Sequence, residues 1–403
     1  MSGNSKSGRD PVILSAVRTP MGKFQGALSA LPAPRLGAAV VREAVRRAGL
    51  RDGQAIDEVL MGNVVSAGLG QAPARQAAIF AGLPPLVGAT TVNKVCGSGL
   101  KAVMLAAQAI KAGDGDLFVA GGMESLSNAP HLIRGRRGLG YGHQALTDAL
   151  LYDALWDPFE EWNMGMAAEH IADEFEVTRE AMDRWALASH QKAVAAAETG
   201  RFDGEIVPLE VPQPHAGPAP VRLDETTRPD TTLEKLAALP PVFKEGGKVT
   251  AGNSPGLNDG AAALLVASRE RAESLGAAPM ARIVGYAGAA VPPKQLFIAP
   301  AYAIPKLLQR IGWTLKDVDL IELNEAFAAQ VLADGYALAD EGWDWDKVNV
   351  HGGAISLGHP LGASGARILT TLVHALHARA GRRGLACLCL GGGEAIAMAV
   401  EAE

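Results

Sequence analysis

A duplicated α/β fold, in which two like units of alternating strands and helices flank an inserted loop-rich region, is what this 403-residue sequence predicts. Three observations lead there. Strand-like apolar runs alternate with amphipathic helical stretches near both ends of the chain. Segments of the first end recur at the second in the same order. The middle shows neither pattern.

PVILSAVRTPMGKF, from Pro11, reads as a buried strand entering a turn. LGAAVVREAVRRAG is an amphipathic helix closed by Gly49, and IDEVLMGNVV is a second strand. TTVNKV then leads into Cys96 and the helix GLKAVMLAAQAIKAG, and DLFVAGGMES is a buried strand carrying a glycine pair. Such alternation predicts α/β layers around a mostly parallel sheet. From about Leu126 to Pro241, prolines, charges and tryptophans surround one clear helix, REAMDRWALASHQKAVAAAETG, and VPQPHAGPAPVR reads as an extended connector. Past Ala281 the first texture returns. DVDLIELNEAF resembles IDEVLMGNVV, GASGARILTTLVHALHARAG resembles GSGLKAVMLAAQAIKAG, and CLCLGGGEAIAM resembles LFVAGGMES. The expected units are therefore residues 10–125 with 242–280, an insertion at 126–241 that covers something, and residues 281–403. Packed face to face, the two like units would bring Cys96 close to the Gly362–Gly365 turn.

Composition narrows the functional classes. The chain is 48% hydrophobic and 20% charged, with a net charge of −6, so no overall basic field exists to hold nucleic acid or an anionic membrane. A local basic cluster, Arg134, Arg136 and Arg137, falls in the insertion, where solvent is its simplest partner. Three cysteines cannot build a disulfide framework and argue for a reducing compartment. MSGNSKSGRD lacks the apolar core of a signal peptide and reads as a floppy tail, and VEAE carries no peroxisomal address. No apolar run is long enough to span a bilayer. The expected location is cytoplasmic.

Cys96 lies where a strand turns into a helix. There the helix N-terminus offers unpaired N–H groups and a partial positive charge, both of which favour the reactive thiolate. A small buried hydrophobe is the competing reading of a free cysteine. The last third of the chain adds NVHGGAISLGHPLGASGAR, which places His359 in a Gly-His-Pro turn before the matching helix. In CLCLGGGE, Cys387 and Cys389 are two apart on a strand and share a face, with Cys389 nearer the open end and Cys387 a packing residue. A zinc site would need a fourth ligand that the sequence does not offer. In NEAFAAQ, Asn324 is either a functional amide or a helix N-cap. Glu325 is either a first-turn charge or part of a buried network.

VCGSG around Cys96, NEAFA from Asn324, GGAISLGHPLGASG around His359 and CLCLGGG around Cys389 resemble the four signature blocks of the thiolases, in that family's order and spacing. The resemblance runs nearly end to end, through VILSAVRTPMGKF, QAPARQAA, AGGMESLS and VTAGNSPGLNDGAAA. It implies a five-layer α-β-α-β-α fold and an enzyme that interconverts 3-oxoacyl-CoA plus CoA with a shortened acyl-CoA plus acetyl-CoA, by thiolysis or Claisen condensation. Under it, Cys96 would be the acylated nucleophile, His359 the base for Cys96 and for the CoA thiol, and Cys389 the acid–base at the α-carbon. One oxyanion site would use the backbone N–H groups of Cys96 and Gly391. The other would use His359 and a water held by Asn324. Met164, Ala326 and Phe327 would line the pantetheine and acyl tunnel, and Arg228 and Ser254 would contact CoA.

No metal or redox cofactor is implied, since CoA thioesters are substrates. The family resembled forms homodimers or homotetramers, with QAPARQAA at a subunit contact. Departures from the pattern include LFIAP (296–300), where Phe297 and Ile298 replace small residues near the acyl pocket, together with Pro255, Asn163 and the terminal GGGEA. A thiolase-like protein that binds acyl-CoA or lipid without turnover is the alternative, although every reactive residue is present. A fatty-acid or polyketide type condensing synthase would carry a second histidine or asparagine at position 389.

Overall fold

The computed structural model describes residues 8–50, 56–213 and 216–403. Residues 1–7 of the expected floppy tail lie outside the described residues, as do residues 214–215 of the expected connector.

The first unit runs β1 (Pro11–Arg18), α1 (Ala33–Arg47), β2 (Glu58–Gly62), α2 (Pro73–Phe80), β3 (Gly88–Val92), α3 (Ser98–Ala112) and β4 (Leu117–Ser125). After it come α4 (Met164–Glu174), α5 (Arg179–Glu198) and a hairpin of β5 (Leu209–Gln213) and β6 (Ala216–Val221). The long strand β7 (Asn258–Ser268) returns to the first unit. The last third is β8 (Ala281–Ala290), α6 (Pro300–Ile311), β9 (Leu320–Leu323), α7 (Ala328–Ala337), α8 (Leu361–Ala378), β10 (Arg383–Leu390) and β11 (Glu394–Ala402).

Apart from the β5–β6 hairpin, these strands form one sheet in the order β9-β10-β11-β8-β1-β7-β4-β2-β3. Only Val12–Arg282 and Ile13–Ala281 join β1 to β8, so the sheet divides there into two halves. The halves are alike: β8-β11-β10-β9 repeats β1-β7-β4-β2, including the parallel pair at its end. The expectation of a mostly parallel sheet fails, because five of the eight neighbouring pairs are antiparallel. The cause is β7 and β11, which run antiparallel between β1 and β4 and between β8 and β10, so that only β2, β3, β4 and the β9–β10 pair keep helical crossovers.

Helices α1 and α2 cover the outer face of the first half-sheet, and α6 and α7 cover the outer face of the second. Helices α3 and α8 lie between the halves in a shared core of Leu100, Val103, Ile368, Leu372, Leu388 and Ile396. This is the five-layer α-β-α-β-α arrangement. Period-two alternation explains the strand contribution: on β10, Leu388 and Leu390 face the central helices, whereas Cys387 and Cys389 face the outer layer. Glycine permits the central crossing. A Cβ added at Gly365 would lie 2.5 Å from the Leu100 backbone nitrogen, closer than any side chain tolerates.

Two readings of the middle region change. Residues read as an extended connector pair into the β5–β6 hairpin. Helix α4, absent from the sequence reading, starts at Met164 with the Asn163 side chain accepting from Gly165 N at 2.9 Å. Its capping signal was present, but the helix is short and stands beside a tryptophan-rich loop. Among the described residues, no helix is long and apolar enough to cross a membrane.

Candidate active site

Cys96 occupies a turn rather than the helix itself. Strand β3 ends at Val92 and α3 begins at Ser98. The Ser98 hydroxyl ties the turn together: it accepts from Lys94 N at 2.8 Å and donates to Val95 O at 2.6 Å. Val95 is held at a φ of 47°, an unfavourable conformation for a β-branched residue that the surrounding contacts impose. Lys94 also pairs with Glu394, so the turn is joined to the start of β11 in the other unit.

His359 is presented from the second unit. Its backbone N donates to Asn258 Oδ1 at 2.9 Å, and Nδ1 lies 2.6 Å from the Ser364 hydroxyl, which also reaches Pro360 O at 2.9 Å. Ser364 follows Pro360 by one helical turn, the sequence signal that could have singled it out. When the hydroxyl donates to Pro360, Nδ1 keeps its proton and Nε2 is left with a lone pair.

Cys96, His359, Cys389 and Gly391 line one cavity of about 160 Å³. Met164, Ser254, Ala326 and Phe327 line it too, as do the departures Asn163, Pro255 and Phe297. The walls are mostly apolar. Phe297 and Phe243 each meet the Phe327 ring edge-on, with centroids 5.3 and 6.4 Å away. Arg228 does not join this group. It is exposed on the loop before the short helix Leu233–Ala237, and its backbone N donates to His190 Nδ1 at 3.2 Å. Arg134, Arg136 and Arg137 are exposed as well. Cys387 is fully buried among aliphatic side chains of the outer layer. Among the described residues, no group of three or more His, Cys, Asp or Glu could hold a metal ion.

Asn324 contrasts with Asn63. The two residues occupy like positions, one past the ends of β2 and β9 in the two units. Asn63 is satisfied: Nδ2 donates to Glu124 and Met123 O, and Oδ1 accepts from Ser66. Asn324 is equally buried, yet neither of its side-chain polar atoms has a partner. It is not an N-cap, because α7 starts four residues later behind Phe327. A buried amide left without a partner carries a cost of about 1–3 kcal/mol. Ser254 Oγ is likewise buried and unpartnered on the cavity wall. Glu325 belongs to a buried network, accepting from Trp185, Ser189, Asn349 and Ile355 N.

The electrostatics differ from the sequence expectation. Burial pushes the Cys96 thiol up to about 12, although the backbone N–H groups of Gly391 and of Cys96 itself act to lower it. Burial and then Arg367 push His359 down to about 3. Cys389 is raised, mainly by burial and next by the neighbouring Cys96. The expected thiolate gives way because the helix N-terminus supplies only a partial charge, while desolvation acts on a full one. The resting pair is thiol and neutral imidazole. Such a pair can still react by moving the proton as the sulfur attacks.

Comparisons with known proteins agree with one another. Residues 11–270 match the family model described as "Thiolase, N-terminal domain", and residues 277–402 match "Thiolase, C-terminal domain". An acetyl-CoA acetyltransferase of Cupriavidus necator is 52% identical over 393 residues, covering 97% of this chain and 99% of that one. One of Escherichia coli is 51% identical over 392 residues, covering 97% and 98%. The crystal structure of the Bacillus anthracis acetyl-CoA acetyltransferase superposes with a TM-score of 0.94 at 42% identity, covering 98% of this chain and 99% of that one.

Proposed function

The chain belongs to the thiolase family and is an acyltransferase, and we propose that it works through an acyl-enzyme formed on Cys96. The observation that carries this reading is the meeting of Cys96, His359 and Cys389, drawn from opposite ends of the chain, in one apolar cavity. In the first half-reaction, Cys96 gives its proton to His359 Nε2 while its sulfur adds to the thioester carbonyl. The resulting oxyanion faces the N–H groups of Cys96 and Gly391, the two that already point at the sulfur. Collapse expels the CoA thiolate, which takes the proton from His359.

In the second half-reaction toward condensation, Cys389 passes its own proton to His359 Nε2 and, as the thiolate, removes the α-proton of acetyl-CoA; the enolate carbon attacks the acyl-enzyme and expels the Cys96 sulfur, which takes the proton back from His359. The enolate oxygen is stabilised by His359 Nε2–H and by a water on the unpartnered Asn324 amide. His359 is then an imidazolium, with its Nδ1–H donated to the Ser364 hydroxyl oxygen. Thiolysis runs the same steps backward, with His359 activating CoA. The chemistry needs neither metal nor redox cofactor.

Acetyl-CoA and acetoacetyl-CoA are the substrates we favour, since the named relatives are acetyl-CoA acetyltransferases and Phe297 with Phe327 narrows the cavity. Met164, Ala326, Phe327 and Ser254 would hold the pantetheine and acyl portions, and the exposed Arg228 the nucleotide end. A homo-oligomer joined through the β3 edge is supported by that strand's place at the end of the sheet and by Leu86 beside it, 97% exposed. A chemistry built on free thiols suits a cytoplasmic setting. The test is intact-protein mass spectrometry after incubation with acetyl-CoA. One acetyl group mapped to Cys96 is expected, and its absence from folded protein at neutral pH would remove the acyl-enzyme reading.

A further inference from the structure

Glu124, near the end of β4, is fully buried and takes no part in the chemistry above. Its carboxylate accepts four N–H bonds. Oε1 takes Asn63 Nδ2 at 2.9 Å and Val65 N at 3.2 Å, and Oε2 takes Val64 N at 3.0 Å and Gly362 N at 2.9 Å. The first three donors belong to the loop after β2. That loop is bound to the start of the nucleophile turn: Asn63 N donates to Val92 O at 3.0 Å, and Asn93 Nδ2 to Val64 O at 3.4 Å. The fourth donor is the second residue of α8, the helix that begins just after His359 and carries Ser364. One carboxylate therefore joins the segment leading to Cys96 to the segment presenting His359.

This charge does not activate the sulfur. Glu124 acts on Cys96 in the direction that disfavours the thiolate. Its own carboxyl is pushed up to about 7 by burial, against the pull of its backbone donors, with Asp259 adding to the rise. A buried anion that opposes the nucleophile and still makes four hydrogen bonds is explained by what it holds. The N–H at the start of α8 and the helix dipole give that bond direction and strength.

The geometry points to Glu124 as a positioning residue for acyl transfer, fixing the Cys96 turn against the helix that presents His359. This assignment rests on the Cys96 acyl-enzyme proposed above. The experiment is single-turnover acetylation of the full chain by acetyl-CoA, comparing wild type with Glu124→Gln. An amide turns an N–H₂ toward two of the four donors, and a shift approaching 1 Å between the paired segments costs about 10²-fold in acetylation rate, with KM for acetyl-CoA held within about twofold. Iodoacetamide needs the sulfur but not this alignment, so it alkylates Cys96 in the variant at least as fast as in wild type, a repelling charge having gone.

Acetylation within about threefold of wild type, or a loss appearing only in KM, overturns the assignment. So does alkylation slowed in step with acetylation, which marks general disruption. Asn63→Ala, which removes one of the four bonds and keeps the charge, is expected to slow the same step by about tenfold and decides the matter if Glu124→Gln does not fold; an unchanged rate there also overturns it. Wild type that fails to acetylate would instead sink the acyl-enzyme reading. Wild type that acetylates beside an equally fast Glu124→Gln leaves that reading standing and removes this one.

Discussion

The Nδ1 atom of His359 lies 2.6 Å from the Ser364 hydroxyl, and that hydroxyl lies 2.9 Å from Pro360 O. One rotatable O–H thus stands between the imidazole and the first carbonyl of the helix. Ser364→Ala removes the partner that orients the ring and chooses its tautomer. The expected result is a fall of about 10–10² in kcat, the scale of impaired acid–base catalysis, with KM for acetoacetyl-CoA little changed, read by steady-state thiolysis. A KM effect alone would contradict the role.

Asn324 and Asn63 predict opposite behaviour for the same substitution. Asn324→Ala deletes two unsatisfied polar atoms, so the melting temperature holds or rises while turnover falls about 10²–10³-fold, the cost of one oxyanion donor. Asn63→Ala strands Glu124 and Ser66, and unfolding becomes easier by about 1–3 kcal/mol. Thermal melts of the two variants side by side check the contrast.

Cys96→Ser abolishes acetyl-enzyme formation. Cys389→Ala leaves single-turnover acetylation largely intact but cuts carbon–carbon bond formation by about 10²-fold or more. Equal loss of both activities in Cys389→Ala would refute the division of labour between the two sulfurs.

Phe297 and Phe327 line the cavity in edge contact, with ring centroids 5.3 Å apart. Phe297→Leu makes room for about one or two methylenes, so kcat/KM for six-carbon over four-carbon 3-oxoacyl-CoA rises about tenfold or more. An unchanged ratio would place the limiting wall elsewhere.

Stability has a predictable decline at mildly alkaline pH. Burial raises Glu322 to about 8 and Glu124 to about 7, from an ordinary value of 4.5. The folded chain therefore holds protons that the unfolded chain has released, and stability falls as pH rises through this range. Below about pH 6.5 the depressed histidines His190 and His359 work the other way, gaining stability as pH rises. Unfolding free energy is thus expected to drop from pH 6.5 to 8, and Glu322→Gln to flatten that drop, as denaturant melts at four pH values would show.

Much of the site could be read from short segments. Cys96, His359 and Gly391 each sit in a glycine-rich turn, with Cys389 at the end of β10 just before one, and such turns are local features. The internal repeat likewise showed that two turns would face each other. The direction of the sheet could not be read so directly, because strand alternation looks the same for parallel and antiparallel neighbours. Helix α4 was missed for want of length. Arg228, matched to a position near the CoA nucleotide, is exposed on a loop outside the cavity, where spacing along the chain does not determine what its side chain faces.

By itself, the sequence determined which reactive groups exist, which turns present them and that two like units would bring them together. Only the tertiary structure decided their states: a thiol rather than a thiolate at Cys96, a neutral imidazole at His359, an orphaned Asn324 opposite a satisfied Asn63, and a carboxylate joining residues 238 positions apart at Glu124 and Gly362. The reason is physical. Backbone turns follow from neighbours in the chain, whereas desolvation and hydrogen-bond satisfaction depend on which distant atoms have displaced the water.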